Sequence, residues 1–103
     1  MASTIRVRAQ ASGTVTEVQA LVQHPMDSGF VKDSNGELIP AHHIETLTFE
    51  HDGKVVLIAD WGPAVSKDPY IKFSFKGGAK GDKLTVTWLD NLGKTDTLDA
   101  TIA

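Results

Sequence analysis

Cysteine is absent from this sequence of 103 residues. Its absence excludes disulfide bonds, thiolate nucleophiles, zinc–thiolate sites, iron–sulfur clusters and the cysteine ligand of blue copper. Long apolar runs are also missing, and none approaches the roughly 20 residues that a membrane-spanning helix needs. Positive charge does not dominate, since the formal net charge is −3 and the lysines are scattered among acids. The sequence therefore predicts neither nucleic acid nor a membrane as a partner.

An alternation of apolar and polar residues with a period of two runs through most of the chain, as is typical of half-buried β-strands. It predicts strands at 4–10, 14–23, 43–51, 54–60, 70–76, 83–90 and 95–102. Segment 26–40 is less regular and is predicted as a short hairpin or an ordered loop. About seven strands with turn signals roughly every 8–12 residues predict an all-β antiparallel sandwich. Residues 1–103 are expected to form a single domain.

The pair Asp52-Gly53 lies between two alternating runs and is the strongest hairpin signal in the chain, because both residues tolerate a positive φ. We expect the apolar residues of the first arm to face those of the second arm, Val55, Leu57 and Ala59. This hairpin fixes the order of two neighbouring strands in the predicted sandwich.

Histidines are the only candidates for a metal site. His42 and His43 are adjacent on an extended segment, so their side chains project to opposite faces and cannot easily share one ion. His24 and His51 lie elsewhere in the chain. Surface or turn histidines are therefore the preferred interpretation, and no metal ligand or other cofactor is predicted.

Catalytic motifs are also missing. Most acids lie at turns, where turn chemistry favours Asp, and they do not suggest a pair of carboxylates held across a cleft; these are Asp33, Asp52, Asp82 and Asp90. No serine lies in a nucleophile elbow. The glycine-rich stretch 77–81 lacks the Gly-Lys-Ser/Thr ending of a phosphate-binding loop and predicts a flexible connection. No catalytic residue is predicted, and the chain is not expected to be an enzyme.

Two loops, 24–30 and 61–69, carry apolar groups where loops are usually polar. Exposed apolar patches mark protein contacts, so both loops are predicted to bind a partner. Trp61 has two interpretations, either a cap on the core or an anchor in the interface. The predicted partner-binding residues are His24, Pro25, Met26, Phe30, Trp61, Pro63 and Val65.

The same loops belong to a wider pattern that resembles the SoxZ family, the small subunit of a carrier complex for thiosulfate oxidation. The resemblance covers roughly residues 4–102, and its specific runs occur in the family's order and spacing. These runs are His24-Pro25-Met26, Leu38-Ile39-Pro40-Ala41-His42, the segment 61–67 (WGPAVSK) and the segment 76–82 (KGGAKGD).

The resemblance implies an immunoglobulin-like sandwich that forms a heterodimer with SoxY. SoxY carries sulfur intermediates on a cysteine near the end of a flexible arm, so a chain without cysteine fits the non-carrying subunit. Transient contacts with other sulfur-oxidation enzymes are implied as well. When the chain is alone, a homodimer through the same apolar surface is an alternative.

The expected compartment depends on the same resemblance. Residues 1–8 contain no apolar signal-peptide core, which by itself favours the cytoplasm. Members of the SoxZ family act in the periplasm and are exported with SoxY, so the resemblance implies the periplasm. A competing hypothesis is a small periplasmic metal-binding β protein that uses His24, His42, His43 or Met26.

Overall fold

The structure is a computed structural model that describes residues 4–62 and 64–103. Its strands are β1 (Ile5–Ser12), β2 (Val15–Val22), β3 (Ile44–His51), β4 (Lys54–Asp60), β5 (Tyr70–Lys76), β6 (Lys83–Asp90) and β7 (Thr95–Thr101). They form a three-stranded sheet in the order β1-β2-β5 and a four-stranded sheet in the order β4-β3-β6-β7. All pairings are antiparallel, which confirms the predicted immunoglobulin-like sandwich. No helix in the described ranges is long and apolar enough to cross a membrane.

The core forms where the apolar faces of the two sheets meet. Successive side chains of a strand point to opposite faces, so the predicted period of two places every second residue inside. Each fully buried aliphatic or aromatic side chain stabilises the fold by roughly 1.5–3 kcal/mol. The buried apolar residues are Ile5, Ala9, Val18, Ala20, Val22, Met26, Ile44, Leu47, Phe49, Phe75, Leu84, Val86, Trp88 and Ile102.

One predicted register is wrong. The sequence predicts Val55 on the core face of β4, but this side chain is 51% exposed. The pairing shifts because Phe49 pairs with Leu57 whereas Glu50 pairs with Val55. Val56 is therefore an extra residue on β4, a β-bulge that turns Val55 towards solvent.

A long excursion, 23–43, connects the two sheets between β2 and β3. Its base is closed by an antiparallel bridge in which the backbone N–H groups of Asp27 and His42 donate to each other's carbonyls at 2.7 and 2.9 Å. Farther out, Lys32 pairs with Leu38 around the turn 33–36. This confirms the predicted short hairpin, which we call the arm (residues 30–39). Residues 30–38 are all exposed.

Candidate interaction site

The loops of one end of the sandwich surround the predicted partner-binding residues. We call this the loop end and define it by the segments 23–43, 61–69 and 91–94. The opposite end, which we call the turn end, consists of the turns 13–14 and 52–53 and the segment 77–82. Strands β2, β4 and β6 finish at the loop end, whereas β3, β5 and β7 begin there. Segments that are far apart in the sequence therefore meet at the loop end.

The two predicted binding loops are joined directly. The backbone N–H of His24 donates to the Asp68 carboxylate at 3.0 Å, and the backbone N–H of Asp68 donates to the His24 carbonyl at 3.0 Å. Asp68 adopts a positive φ of 52°. A non-glycine residue occupies this region at some energetic cost, which the paired hydrogen bonds offset. The two loops are thus fastened to each other at His24 and Asp68.

The seven predicted residues differ widely in exposure. Phe30 is the most exposed, at 82%, and Pro25 is also exposed. Trp61 and Val65 are half-buried and pack against the core, so Trp61 makes the contact expected of a core cap, and its role as an interface anchor stays a prediction. His24 and Met26 are buried in the isolated chain. Pro63 lies outside the described residues.

The loop end exposes further large apolar side chains that the sequence reasoning did not single out. Val31 and Leu38 on the arm are each 58% exposed and Leu92 is 55% exposed, and Tyr70, the first residue of β5 beside the loop end, is 58% exposed. The exposure of Val31 and Leu38 could have been inferred from the turn that lies between them. That turn predicts a short isolated hairpin, which cannot bury both of its faces. Like Phe30, these side chains add exposed apolar area at or beside the loop end, which is suited to a protein contact.

A buried cluster of His24, His42 and Asp90 lies beneath this surface. The Asp90 Oδ2 atom is 3.3 Å from His24 Nε2 and 2.8 Å from His42 Nε2. Its Oδ1 atom accepts the backbone N–H groups of Leu92 at 3.0 Å and Lys94 at 2.8 Å. One carboxylate thus fastens the end of β2, the base of the 23–43 excursion and the β6–β7 turn to each other.

Aromatic contacts hold the rings of this cluster in place. The His24 ring packs edge-on against His42, with centroids 4.5 Å apart, and against Trp88, with centroids 5.1 Å apart. The Trp88 indole N–H donates to the Thr4 hydroxyl at 3.0 Å. His24 and Asp90 are therefore packed away from solvent, whereas the His42 side chain remains 26% exposed.

The hydrogen bonds fix the protonation state of His24. The backbone N–H of Met26 donates to His24 Nδ1 at 3.2 Å, so Nδ1 is an acceptor and Nε2 carries the proton that Asp90 accepts. Burial lowers the pKa of His24, and the hydrogen bond to Asp90 only partly opposes that effect. For Asp90, burial raises the pKa, but the hydrogen bonds from Lys94, His42, His24 and Leu92 outweigh it and the pKa is lowered. The favoured state is neutral His24 beside ionised Asp90.

This donor set fits a metal ion poorly. The ligand atoms of His24, His42 and Asp90 all lie within 4.8 Å of one another, which is a suitable spacing. A metal on His24 Nε2 would require the proton on Nδ1, but Nδ1 faces the N–H of Met26. Histidine ligands normally donate their second N–H to an acceptor, and here that position is occupied by a donor. The arrangement is better described as a structural cluster that joins three segments of the chain. We call it the latch and define it as His24, His42 and Asp90.

A second cluster of the same residue types lies at the turn end. His51 Nε2 is 2.8 Å from Asp82 Oδ2 and 3.6 Å from Asp52 Oδ2. The hydrogen bond from His51 is the largest cause that lowers the pKa of Asp82. These side chains are 22%, 31% and 55% exposed, in the order His51, Asp82 and Asp52. Asp52 and Asp82 were predicted to be turn residues. In agreement with this, the Asp52 carboxylate accepts the backbone N–H of Lys83 and the Asp82 carboxylate accepts the backbone N–H of Ala79.

Comparisons with known proteins agree with this fold. The chain is similar in structure to the superoxide reductase (neelaredoxin) from Archaeoglobus fulgidus in the reduced form, with a TM-score of 0.65 and 24% identity over 98% of this chain and 89% of that chain. A single-substitution variant of that reductase, also in the reduced form, gives a TM-score of 0.63 and 24% identity over 98% and 88% of the two chains. At this identity the likeness shows the fold alone. No curated protein sequence matches the chain.

The fold and the latched loop end define a small immunoglobulin-like β-sandwich protein. The sequence model of the family described as "Sulphur oxidation protein SoxZ" matches residues 5–101, which is nearly the whole chain. The chain therefore belongs to the SoxZ family, as the sequence motifs predicted, and its role lies in sulfur oxidation.

Proposed function

We propose that this chain is the non-catalytic subunit that binds a SoxY-type sulfur-carrier protein and supports presentation of the carrier's cysteine arm. The observation that carries the proposal is the loop end. There, Phe30, Val31, Leu38 and Leu92 expose apolar side chains on segments that the buried His24–Asp90–His42 latch holds in place. A preordered apolar surface loses little entropy on binding, which favours a lasting complex.

The predicted residues divide into two roles within this proposal. Phe30, Pro25, Trp61 and Val65 reach the surface wholly or in part and would contact the partner. His24 and Met26 are buried and would act by shaping the loop. The Met26 sulfur accepts the backbone N–H of Ile44 at 3.3 Å, so the residue anchors the excursion to the start of β3.

The shape of the surface supports a binding role over catalysis. A shallow depression on the outer face of the three-stranded sheet is lined by Arg6, Val7, Arg8, Gln19, Ala20, Leu21 and Tyr70. This lining includes no carboxylate, histidine or serine, so it lacks the acid–base and nucleophile pairs of a hydrolytic site. The two histidine clusters are engaged in hydrogen bonds with aspartates instead.

The compartment follows from the partner within the same proposal. A chain that folds and binds its carrier before export would reach the periplasm through the carrier's twin-arginine signal. Transient contacts with the other sulfur-oxidation enzymes would then occur on the assembled pair. The loop end would be largely occupied in that pair, leaving other surfaces of the sandwich for the visiting enzymes.

The test is co-expression of this chain with a SoxY-type carrier, followed by size-exclusion chromatography with mass determination. The proposal predicts a stable complex with one copy of each chain. A chain that elutes alone in the presence of the carrier contradicts the proposal. The purified chain should also show no turnover of thiosulfate, and turnover by this chain alone would overturn the non-catalytic assignment.

A further inference from the structure

The sandwich has four edge strands, and three of them are protected against pairing with another chain. The β1 edge is covered in part by Ala103, because the Ala103 N–H donates to the Ala9 carbonyl and the Ala11 N–H donates to the Ala103 carbonyl, both at 2.9 Å. β7 lies beside β1, and Thr4 reaches across to the Asp96 carboxylate at 2.7 and 2.8 Å. β4 is interrupted by the bulge at Val56. Such coverage and bulges prevent edge-to-edge association.

The fourth edge, β5, is regular and free. Its pairing with β2 runs without a register shift from Tyr70 to Lys76, and no other strand in the described ranges lies on its far side. The backbone hydrogen bonds that continue this ladder are Gly77 N–H to Thr14 and Val22 N–H to Pro69. Odd-numbered residues therefore point their backbone groups towards β2. The backbone N–H and C=O groups of Lys72 and Ser74 point away from β2, towards the free edge.

The side chains beside this edge alternate in chemistry. On the core side, Ile71 and Phe73 are only half-buried, and Leu57 and Ala59 on β4, an edge strand of the other sheet, are half-buried as well. Apolar side chains are therefore left partly uncovered along the β5 edge. An added strand could place every second side chain against Ile71 and Phe73.

The outer side of the same sheet is basic, although the chain as a whole is acidic. Arg6 and Arg8 on β1 share this face with Lys72 and Lys76 on β5, and Glu17 is its only acid. All four cations are exposed, and none of them forms an ion pair within the part of the chain that the structure describes. Lysines are scattered along the sequence, but the fold places Lys72 and Lys76 on one face with the two arginines.

We propose that the β5 edge accepts an extended segment of the partner protein whose side chains alternate between apolar and acidic. This inference rests on the proposed function and names the surface and chemistry of one part of the interface. The segment would form backbone hydrogen bonds with Lys72 and Ser74, place its apolar side chains beside Phe73 and Ile71, and set its acids beside Lys72 and Lys76.

Charge selects this occupant over a second copy of the chain. Two copies joined through β5 would form one continuous sheet whose outer face carried both sets of four cations. Like charges across an interface oppose association, and lysines on an edge strand are a known device against self-pairing. An acidic segment reverses the sign of the same interaction.

Amide hydrogen exchange on the complex with a SoxY-type carrier tests this inference. The amides of Lys72 and Ser74 exchange freely in the isolated chain if the edge is open, and we expect about tenfold or greater slowing in the complex. The Phe73 amide already donates to β2 and serves as the internal control. A complex that forms while Lys72 and Ser74 exchange as in the free chain overturns the β5 inference and leaves the proposed function standing. Failure to form a complex overturns the proposed function itself.

Matched substitutions give a second readout. Ser74→Pro removes the edge N–H at a position where an edge strand tolerates proline, whereas Ser74→Ala keeps it. We expect about tenfold weaker binding for Ser74→Pro and little change for Ser74→Ala, with the thermal midpoint of each free chain confirming its folding. Lys72→Glu should weaken binding about fivefold, and Lys54→Glu on the bulged edge should not. Equal affinities for all four variants contradict the inference.

Discussion

The two ends of the sandwich contain the same chemical groups in opposite settings. At the loop end, His24 and His42 share Asp90 in a site where the carboxylate is inaccessible to solvent. At the turn end, His51 meets Asp82 and Asp52, whose carboxylates are 31% and 55% exposed. Only the first cluster joins three separate segments of the chain.

The contrast shows how burial turns a histidine–aspartate pair from a surface contact into a structural element. In water, an exposed ion pair contributes little because solvent and salt screen it. In the core, a carboxylate that loses its partners remains desolvated, so removing any partner is costly. The buried cluster therefore stabilises the segments of the loop end, whereas the exposed cluster at the turn end contributes less to stability.

The largest predicted effect is the loss of Asp90. Asp90→Ala leaves two histidine N–H groups and two backbone N–H groups without their acceptor, so we expect the free energy of unfolding to fall by about 3 kcal/mol or more. Urea denaturation followed by circular dichroism measures this change. The matched variant Asp82→Ala at the turn end should shift the midpoint far less. Equal shifts for the two variants would contradict the distinction between the ends.

The next largest predicted effect is that of replacing Trp61, which we expect to change the affinity for the partner more than the stability of the fold. If it anchors the partner, Trp61→Ala should weaken the complex with a SoxY-type carrier by about 2 kcal/mol or more. Isothermal titration calorimetry gives the affinity, and the unfolding midpoint of the free chain reports its role as a core cap. An unchanged affinity with a lowered midpoint would reject the anchor role. Val55→Ala at the turn end is the control and should change neither strongly.

A smaller effect is expected from pH. The folded state lowers the pKa of His24 below its ordinary value of about 6.5, so the unfolded chain takes up more protons at mildly acidic pH. The stability associated with His24 is complete above about pH 6.5 and declines as the pH falls towards the lowered pKa. We expect a loss of about 1 kcal/mol or less between pH 7.5 and 5.5, measured by thermal unfolding. His24→Gln should flatten this profile, and a profile unchanged by that substitution would argue against the assigned state of His24.

Much of the fold is predictable because local chemistry determines it. The period of two gives all seven strands to within a few residues, and Asp52-Gly53 marks its hairpin because both residues adopt a positive φ. The face of Val55 was predicted wrongly because the bulge at Val56 arises from pairing with β3 and has no signal of its own in β4. Local alternation cannot reveal an insertion that only the partner strand defines.

The buried latch escaped prediction for a different reason. His24 and Asp90 are 66 residues apart in the sequence, and His42 and Asp90 are 48 apart. Asp90 was interpreted as a turn residue, and that interpretation is correct for its Oδ1 atom, which accepts from Leu92 and Lys94. The role of its Oδ2 atom depends on how β3 and β6 pair, which residue spacing alone does not provide.

We expect the carrier partner to bind at the loop end and not at the turn end. This expectation is tested most directly by measuring the affinity of a SoxY-type carrier for two variants, Phe30→Ser at the loop end and Val55→Ser at the turn end, both at exposed positions. We expect the affinity for the carrier to be about tenfold or more weaker for Phe30→Ser and unchanged for Val55→Ser. An affinity that falls for Val55→Ser and not for Phe30→Ser would contradict it.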